Sequence, residues 1–241
     1  MTTGTQEYDV LNHPVVTHDE WVRARSALLA REKEFTRLRD QVSQARRDLP
    51  WERVEKRYVF EAPEGKLTLG DAFGAQSQLI VYHFMYAPDW DEGCPSCSFW
   101  ADNFNGIEPH LKARDVAFVA ISRAPLDKLE AYKRRMGWGF RWLSSGGTGF
   151  NEHYGVSFTP EQLKGHAATY NYATIDLEDE TDLPGISVFY KNDAGVIFHT
   201  YSTYGRGIDL MNGAYNYLDL APKGRDEGGR IQSWVRRHDQ Y

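Results

Sequence analysis

The two cysteines of the chain stand two residues apart, in Cys94-Pro95-Ser96-Cys97, directly after an apolar run at residues 79–86. Two thiols at this spacing can form a disulfide and be reduced again, which is the minimum requirement for thiol–disulfide exchange. An apolar run, a short loop and then CxxC predict a buried strand followed by a helix that begins near Cys94. The motif therefore predicts redox chemistry at a helix start.

Different roles for the two cysteines follow from this predicted position. The first turn of a helix presents free N–H groups and the positive end of the helix dipole, and both stabilise a thiolate. Cys94 lies where this effect is greatest, so we predict that it is the attacking residue. Cys97 lies one turn later and is predicted to resolve the mixed disulfide. Pro95 suits a first helical turn, where its missing N–H has no intrahelical partner.

A metal site and structural or vestigial thiols are the alternatives to a redox pair. Zinc needs four ligands, and CxxC supplies two. His110 has a suitable spacing from the motif, but no histidine at 114–116 completes a zinc finger, so His83 or His199 would have to contribute. On this ligand count we predict no metal and no cofactor beyond the redox-active disulfide.

Pro184 and His83 are candidates for positioning a substrate or moving a proton. Pro184 directly precedes a predicted strand; if it faces the dithiol it can adopt the cis form and leave a backbone N–H and C=O free for an extended substrate. An ordinary turn proline is the alternative. His83 follows Tyr82 on the predicted central strand and is either a proton acceptor for Cys97 or a hydrogen-bonded core histidine.

Three further side chains are candidate ligand contacts. Trp90 and Trp100 bracket the CxxC motif, where they either line a groove for a peptide or aromatic ligand or pack beneath the loop. Arg206 follows the last predicted strand in a segment rich in tyrosine and glycine. It either binds a substrate carboxylate or phosphate or is a solvated loop charge.

The bulk composition is ordinary for a globular protein, with 41% hydrophobic and 26% charged residues among 241. A net charge of −6 disfavours a broad nucleic-acid or anionic-membrane surface. No stretch approaches the ~18 apolar residues of a membrane span, and the N-terminus lacks the pattern of a secretory signal. Because the two cysteines cannot form a long-range staple, we predict a reducing, cytoplasmic location.

A long helix is predicted before the sheet. Thr17 and Glu20 have the spacing of a capping box, and Pro50 ends the pattern. An apolar residue recurs every seven positions, at Trp21, Leu28, Phe35, Val42 and Leu49. This stripe either docks on its own domain or forms a coiled-coil-like seam with a second subunit, making a homodimer. Arg31 interrupts the second row of the seam, which favours docking.

From Trp51 onward the predicted elements alternate between strands and helices. They are strands at 58–60, 67–69, 79–86, 116–121 and 140–143, helices at 94–110, 125–136, 150–154 and 208–218, a short helical turn at 70–73, a polar irregular insertion at 157–182, and a hairpin at 186–201. This order predicts an α/β fold with a mixed central sheet and one core. We divide the chain into a lead-in and amphipathic helix at 1–50, a main domain at 51–222 and a charged tail at 223–241.

The order of these elements resembles the thioredoxin fold: apolar strand, CxxC at a helix start, then a proline before a terminal hairpin and a last helix. Residues 140–156 are similar to the strand and helix inserted in the peroxiredoxin-like branch of that fold. Residues 45–51, 89–100 and 201–219 resemble a bacterial thioredoxin-like family of uncharacterised function, domain of unknown function 899. The resemblance implies a thioredoxin-like fold with an N-terminal helical extension and a peroxiredoxin-type insertion.

Two departures from better-known relatives bear on the activity. Thioredoxin has tryptophan before its first cysteine, where this chain has Gly93, and peroxiredoxins have threonine where it has Asp91. An inward carboxylate at position 91 would raise the pKa of a nearby thiol, which disfavours a peroxidase. We therefore expect a thiol–disulfide oxidoreductase acting on a disulfide-containing protein or a small thiol or disulfide. A thiol peroxidase and a non-enzymatic binding module on the same scaffold are the alternatives.

Overall fold

The computed structural model describes residues 13–165, 168–177 and 180–241. The strands of this part of the chain are β1 (Glu52–Arg53), β2 (Val59–Ala62), β3 (Gly65–Thr68), β4 (Gln78–His83), β5 (Val116–Ser122), β6 (Arg141–Ser144), β7 (Ala168–Tyr170), β8 (Ala173–Ile175), β9 (Gly185–Lys191) and β10 (Ile197–Tyr204). Its α-helices are α1 (His18–Arg47), α2 (Leu69–Ala72), α3 (Pro95–Ala101), α4 (Glu108–Lys112), α5 (Leu126–Arg135), α6 (Phe150–His153), α7 (Pro160–Lys164) and α8 (Gly213–Leu218). Two 3-10 segments lie at Gly205–Met211 and His238–Gln240.

One mixed sheet organises the fold, with strand order β1-β10-β9-β4-β5-β6-β2-β3. Strands β4, β5 and β6 are parallel neighbours, whereas β9 pairs antiparallel with both β4 and β10. The CxxC motif follows β4, and the β9–β10 hairpin and α8 come later in the chain. This is the predicted thioredoxin-like order, with α1 as the extension and β6–α6 as the insertion, so the predicted fold class is confirmed.

The core consists of two apolar layers, one on each face of the sheet. Successive residues of β4 alternate between them: Tyr82 joins the layer that contains Cys97 and Trp142, and Val81 joins the layer that contains Phe150. Many of the buried side chains are aromatic and meet at tilted or edge-to-face angles, the geometry that aromatic rings prefer. The high aromatic content therefore lies largely in the core.

The predicted single helix over 94–110 is wrong, because α3 ends at Ala101 and α4 begins at Glu108. The Asn103 side chain donates to the carbonyls of Phe99 and Trp100, which satisfies the end of α3. Gly106 then has φ +84°, a conformation that a right-handed helix does not use. Local side-chain chemistry thus overrides the helical pattern.

Two other segments are more structured than predicted. The supposedly irregular insertion contains α7 and the β7–β8 hairpin, and α7 begins with a capping box formed by Thr159 and Gln162. Residues 208–218 are not one helix, because Asn212 ends the 3-10 segment and its side chain accepts from the N–H of Tyr215 to cap α8. Glu178 and Asp179, part of the acidic run in the insertion, lie outside the described residues.

Helix α1 has the predicted Thr17–Glu20 capping box, but its predicted docking on its own domain is wrong. None of its residues is buried. Near its C-terminal end Arg46 donates to the hydroxyl of Tyr201 over 3.2 Å. No helix among the described residues is long and apolar enough to cross a membrane.

The charged segment 223–241 is in contact with the rest of the molecule: Val235 is buried, and the Arg135 guanidinium on α5 pairs with Asp239. The predicted division at residues 50 and 222 stays a prediction. Of the predicted N-terminal lead-in, residues 1–12 lie outside the described part.

Phe150 tests whether the inserted α6 is integral to the core. Its ring is fully buried and meets Tyr58 and Phe60 edge to face. We expect Phe150→Ala to lower the free energy of unfolding by about 3–5 kcal/mol, measured by urea denaturation. Leu220→Ala, at a position that is 84% exposed, is the control and should change it by less than about 0.5 kcal/mol. A small effect at Phe150 would contradict this core assignment.

Candidate active site at the dithiol

The two cysteines lie at the start of α3, where the chain leaves β4. Cys94 is the N-cap residue and Pro95 follows in the first turn, as predicted. The Cys94 N–H donates to the carbonyl of Met85 over 3.2 Å, and the Met85 N–H points at the sulfur of Cys97 over 3.4 Å. Both cysteines are free thiols; Cys94 is half-buried and Cys97 is buried. The attacking position is therefore the more accessible of the two.

Backbone groups surround the Cys94 sulfur as a helix N-cap requires. The N–H of Cys97 donates to this sulfur over 3.4 Å. The carbonyl of Cys94 accepts from both the N–H and the hydroxyl of Ser98, at 3.0 and 2.9 Å. The cap thus fixes the Cys94 side chain over the open end of α3.

The two thiols have pKa values displaced in opposite directions. A hydrogen bond from the Cys97 thiol lowers the pKa of Cys94 to about 7; burial opposes this, and the N–H groups of Cys97 and Ser96 and the charge of Arg237 assist it. Burial, together with the neighbouring Cys94, raises the pKa of Cys97 well above its ordinary value. Near neutral pH, Cys94 is therefore the cysteine that ionises, while Cys97 keeps its proton.

Arg237, which the sequence did not identify, anchors the loop before Cys94. Its guanidinium donates to the Gly93 carbonyl and the Tyr132 hydroxyl, both at 2.8 Å, and pairs with Glu92 at 2.9 Å. Its side chain is only 12% exposed. The one signal in the sequence was the apolar pair at 234–235 within the charged tail, since that pair brings the tail onto the domain.

Gly93 leaves no room for a side chain before the first cysteine. A Cβ there would lie 2.8 Å from the ring of Phe84 and 3.0 Å from the ring of Tyr132. The first distance is shorter than real Cβ contacts and the second is tighter than most of them, and both rings are buried. The packing of this loop therefore explains the departure from the thioredoxin pattern.

Tyr82, not His83, faces the dithiol. Burial and the nearby Cys97 raise the pKa of Tyr82, and the Tyr82 hydroxyl lowers that of Cys97 in return. The interpretation of His83 as proton acceptor for Cys97 is wrong: it lies in the opposite layer, and its Nε2 is hydrogen-bonded to the Ser187 hydroxyl at 2.8 Å. Burial lowers the pKa of His83 to about 3, so it stays neutral. The alternation of β4 separated the two side chains, but only the fold shows which layer holds the thiols.

The free peptide edge predicted at Pro184 is occupied. The structure shows no cis peptide bond among the described residues. The Pro184 carbonyl accepts from the Tyr170 hydroxyl at 2.6 Å, and the Leu183 N–H donates to the carbonyl of Val156 at 2.9 Å. The prediction of a cis proline with free backbone groups is therefore wrong, because the β7–β8 hairpin supplies Tyr170 to this edge.

The remaining candidates lie in different environments. Trp100 is buried and its indole N–H donates to the carbonyl of Ile208 at 2.9 Å, so its placement in a ligand groove is wrong and the packing alternative is right. Trp90 is half-buried beside the dithiol layer. Arg206 is 76% exposed and pairs with Asp209. Roles for Trp90 and Arg206 in binding stay predictions.

Metal binding has no further support from the fold. No group of three or more His, Cys, Asp or Glu side chains in the described ranges could hold an ion. His83 contacts Phe150 and His199 contacts Phe189, and both histidines lie in the layer away from the thiols.

The strand order and the dithiol at the start of α3 define a thioredoxin-like α/β protein. The chain belongs to a family of bacterial proteins of unknown function (DUF899), whose model matches residues 10–241. No curated protein matches the chain.

Solved peroxiredoxins are similar to part of the chain. A mutant of PrxQ from Xylella fastidiosa has a TM-score of 0.42 at 13% identity, covering 66% of this chain and 89% of that one. BcpB from Mycobacterium tuberculosis has a TM-score of 0.43 at 12% identity, covering 65% and 89%. A yeast mitochondrial 1-Cys peroxiredoxin has a TM-score of 0.40 at 16% identity, covering 71% and 77%.

Removing the charge of Arg237 should raise the pKa of Cys94. We expect Arg237→Gln to slow the alkylation of Cys94 by iodoacetamide at pH 6 by roughly two- to fivefold, because less thiolate is present. The measurement is the pH profile of alkylation followed by mass spectrometry. Arg236→Gln, which changes the exposed neighbour, is the matched control. An unchanged profile for Arg237→Gln would show that its charge does not act on Cys94.

Proposed function

We propose that the protein is a thiol–disulfide oxidoreductase that uses Cys94 and Cys97, with no cofactor beyond its own disulfide. The observation that carries the proposal is the placement of two free thiols within one helical turn: Cys94 is the half-buried N-cap residue whose sulfur accepts from the Cys97 N–H, and Cys97 is buried behind it. The pKa values of the two thiols are displaced in opposite directions in keeping with this placement. A half-buried residue holds the nucleophilic thiolate, and a buried neighbour stays protonated until it is needed. This division of roles is what a two-step exchange requires.

The first step joins the substrate to Cys94. Its thiolate attacks one sulfur of a substrate disulfide, an S–S bond to Cys94 forms, and the substrate S–S bond breaks. The other substrate sulfur leaves as a thiolate and takes a proton from water. In the second step Cys97 loses its proton and attacks the Cys94 sulfur. The Cys94–Cys97 disulfide forms, the substrate leaves as its second thiol, and two electrons have passed from the protein to the substrate.

Cys97 becomes a better nucleophile once Cys94 is bound. The negative charge on Cys94 is among the causes that raise the pKa of Cys97, and it vanishes in the mixed disulfide. The Met85 N–H and the Tyr82 hydroxyl, which both lower the pKa of Cys97, remain in place to stabilise its thiolate. Return to the dithiol needs a thiol reductant, which fits the reducing cytoplasm that we propose as its location.

Replacing each cysteine should give a different result. We expect Cys94→Ser to abolish reduction of a disulfide substrate, and Cys97→Ser to accumulate a mixed disulfide between Cys94 and the substrate, visible by intact mass. Ser96→Ala keeps both sulfurs and is the control. The wild-type protein should show a reversible two-electron transition in dithiothreitol buffers, at about −270 to −120 mV, the range of known thiol oxidoreductases.

Three outcomes would contradict this proposal. Thiols that never pair across the redox titration would favour a binding module with incidental cysteines. Bound zinc in the same spectra would favour a metal site. Rapid oxidation of Cys94 by hydrogen peroxide, with no exchange with disulfides, would favour a thiol peroxidase.

A small disulfide fits the site better than an extended peptide. A peptide that adds to the backbone beside Pro184 needs free partners, and the nearby N–H and C=O groups are already bonded to Val156 and Tyr170. The Tyr170 hydroxyl also accepts from the Gly205 N–H at 2.8 Å, so it bridges two segments. We therefore propose a low-molecular-weight disulfide as the substrate class.

Tyr170→Phe tests this substrate preference. Loss of its hydroxyl frees the Pro184 carbonyl for a peptide substrate. We therefore expect reduction of a protein disulfide such as insulin to become roughly two- to tenfold faster, a factor that corresponds to the net free energy of one hydrogen bond. Reduction of 2-hydroxyethyl disulfide should not change. Tyr172→Phe, on the same hairpin, is the matched control because its hydroxyl donates to Ser202 instead. Equal changes with both substrates would overturn the preference.

A further inference from the structure

Helix α1 exposes an apolar stripe along its length. Trp21, Leu28, Phe35 and Val42 lie on the helix and are between 41% and 66% exposed, and Leu49, which is 44% exposed, follows two residues after the end of the helix at Arg47. The helix has 30 residues, and at about 1.5 Å per residue it extends roughly 45 Å. Exposed aromatic and aliphatic side chains in one continuous row are typical of an interaction surface. We propose that this stripe pairs with α1 of a second copy of the chain, as a parallel coiled coil.

The period of the stripe is that of a coiled coil. Its residues repeat every seven positions without a break, and a second row lies three positions later, at Ala24, Arg31, Leu38 and Ala45. An apolar repeat of seven keeps facing a partner helix only when the two helices wind around each other. The core rows of such a pair are therefore already present in the sequence.

Charges beside the stripe favour a parallel pair. In a parallel coiled coil, the residue immediately before a stripe residue of one helix faces a flanking residue of the other helix. That flanking residue lies four positions after the same stripe residue in the second copy. This places Glu20 opposite Arg25, and Glu34 opposite Arg39, of the second copy. The two-fold symmetry of a homodimer doubles these pairs. In the parallel arrangement, every facing pair of flanking residues within α1 in which both are charged therefore joins a negative side chain to a positive one.

The antiparallel arrangement has weaker complementarity. When two α1 helices cross antiparallel with Phe35 at the centre, Glu20 faces Asp48 and Arg25 faces Arg46, two pairs of like charge, whereas Glu32 faces Arg39, a pair of opposite charge. Like charges destabilise an interface, and the parallel arrangement has none at its flanking positions. The charge pattern therefore favours a parallel second copy over an antiparallel one.

Arg31 is the one charged residue in the second row. Its long aliphatic stem can lie along the seam while the guanidinium reaches water, as arginine does at the edges of apolar surfaces. It lowers the affinity of the pair relative to an uninterrupted row. The side chain is exposed in the single chain, so the fold leaves it free to take this position.

The oligomeric state of the full chain tests the proposal. We expect a dimer by analytical ultracentrifugation at micromolar concentration, and at least a tenfold weaker association for Phe35→Glu. Lys33→Glu, on the opposite face of α1, is the matched control and should stay dimeric. Circular dichroism checks that Phe35→Glu is folded. A monomeric wild-type chain, or a dimer that Phe35→Glu leaves intact, would overturn the proposal.

Single cysteines in α1 determine the orientation. In a Cys94→Ser, Cys97→Ser background, a parallel pair places Leu28→Cys beside itself, so that variant should cross-link to a dimer on oxidation. In an antiparallel pair position 28 does not lie beside its own copy. A dimer in which Leu28→Cys fails to cross-link on oxidation would therefore show that the parallel orientation is wrong.

Discussion

The fold and the candidate chemistry meet at one residue of backbone, Met85. Its carbonyl accepts from the N–H of Cys94, and its own N–H points at the sulfur of Cys97. The segment that follows the central strand is thereby tied to both members of the dithiol. Met85 lies two residues after β4, which is paired on both edges, and its two hydrogen bonds position the start of α3 against the sheet. The asymmetry of the two thiols depends on this geometry, since it buries one sulfur and leaves the other at the helix start.

The local part of the site was predictable because short-range rules determine it. A CxxC after an apolar run places Cys94 at the helix start and Pro95 in the first turn, whatever surrounds them. Which of the two apolar layers each face of β4 enters was only partly predictable. Alternation separates Tyr82 from His83, but both sides of a doubly covered strand are apolar, so the pattern does not say which side holds the thiols. Register with β9 and packing of α6 decide that, and they place His83 against Phe150.

Arg237 and Tyr170 were not identified from the sequence for a different reason. Among the contacts of each is a long-range hydrogen bond to a backbone carbonyl, a group that every residue has and that no motif marks. Burying the Arg237 guanidinium is favourable only because Glu92, Tyr132 and the Gly93 carbonyl together replace its water. That set exists only after the tail, α5 and the dithiol loop have come together. The sequence indicated only a charged tail, although Arg237 in that tail contacts the carbonyl of Gly93, the residue before Cys94.

The absence of long-range information in a local pattern also explains why the predicted docking of α1 on its own domain was wrong. An apolar stripe on a helix ordinarily indicates docking on the helix's own domain, and Arg31 supported that interpretation. On a straight helix, however, a strict seven-residue repeat drifts by about 20° per heptad. Over the three intervals from Trp21 to Val42 the stripe therefore turns by roughly 60° around the helix, away from any single flat surface. A supercoiled partner follows that drift by construction. The period of the repeat, rather than its hydrophobicity, was the informative property, and it agrees with a helix that has no buried residue on its own chain.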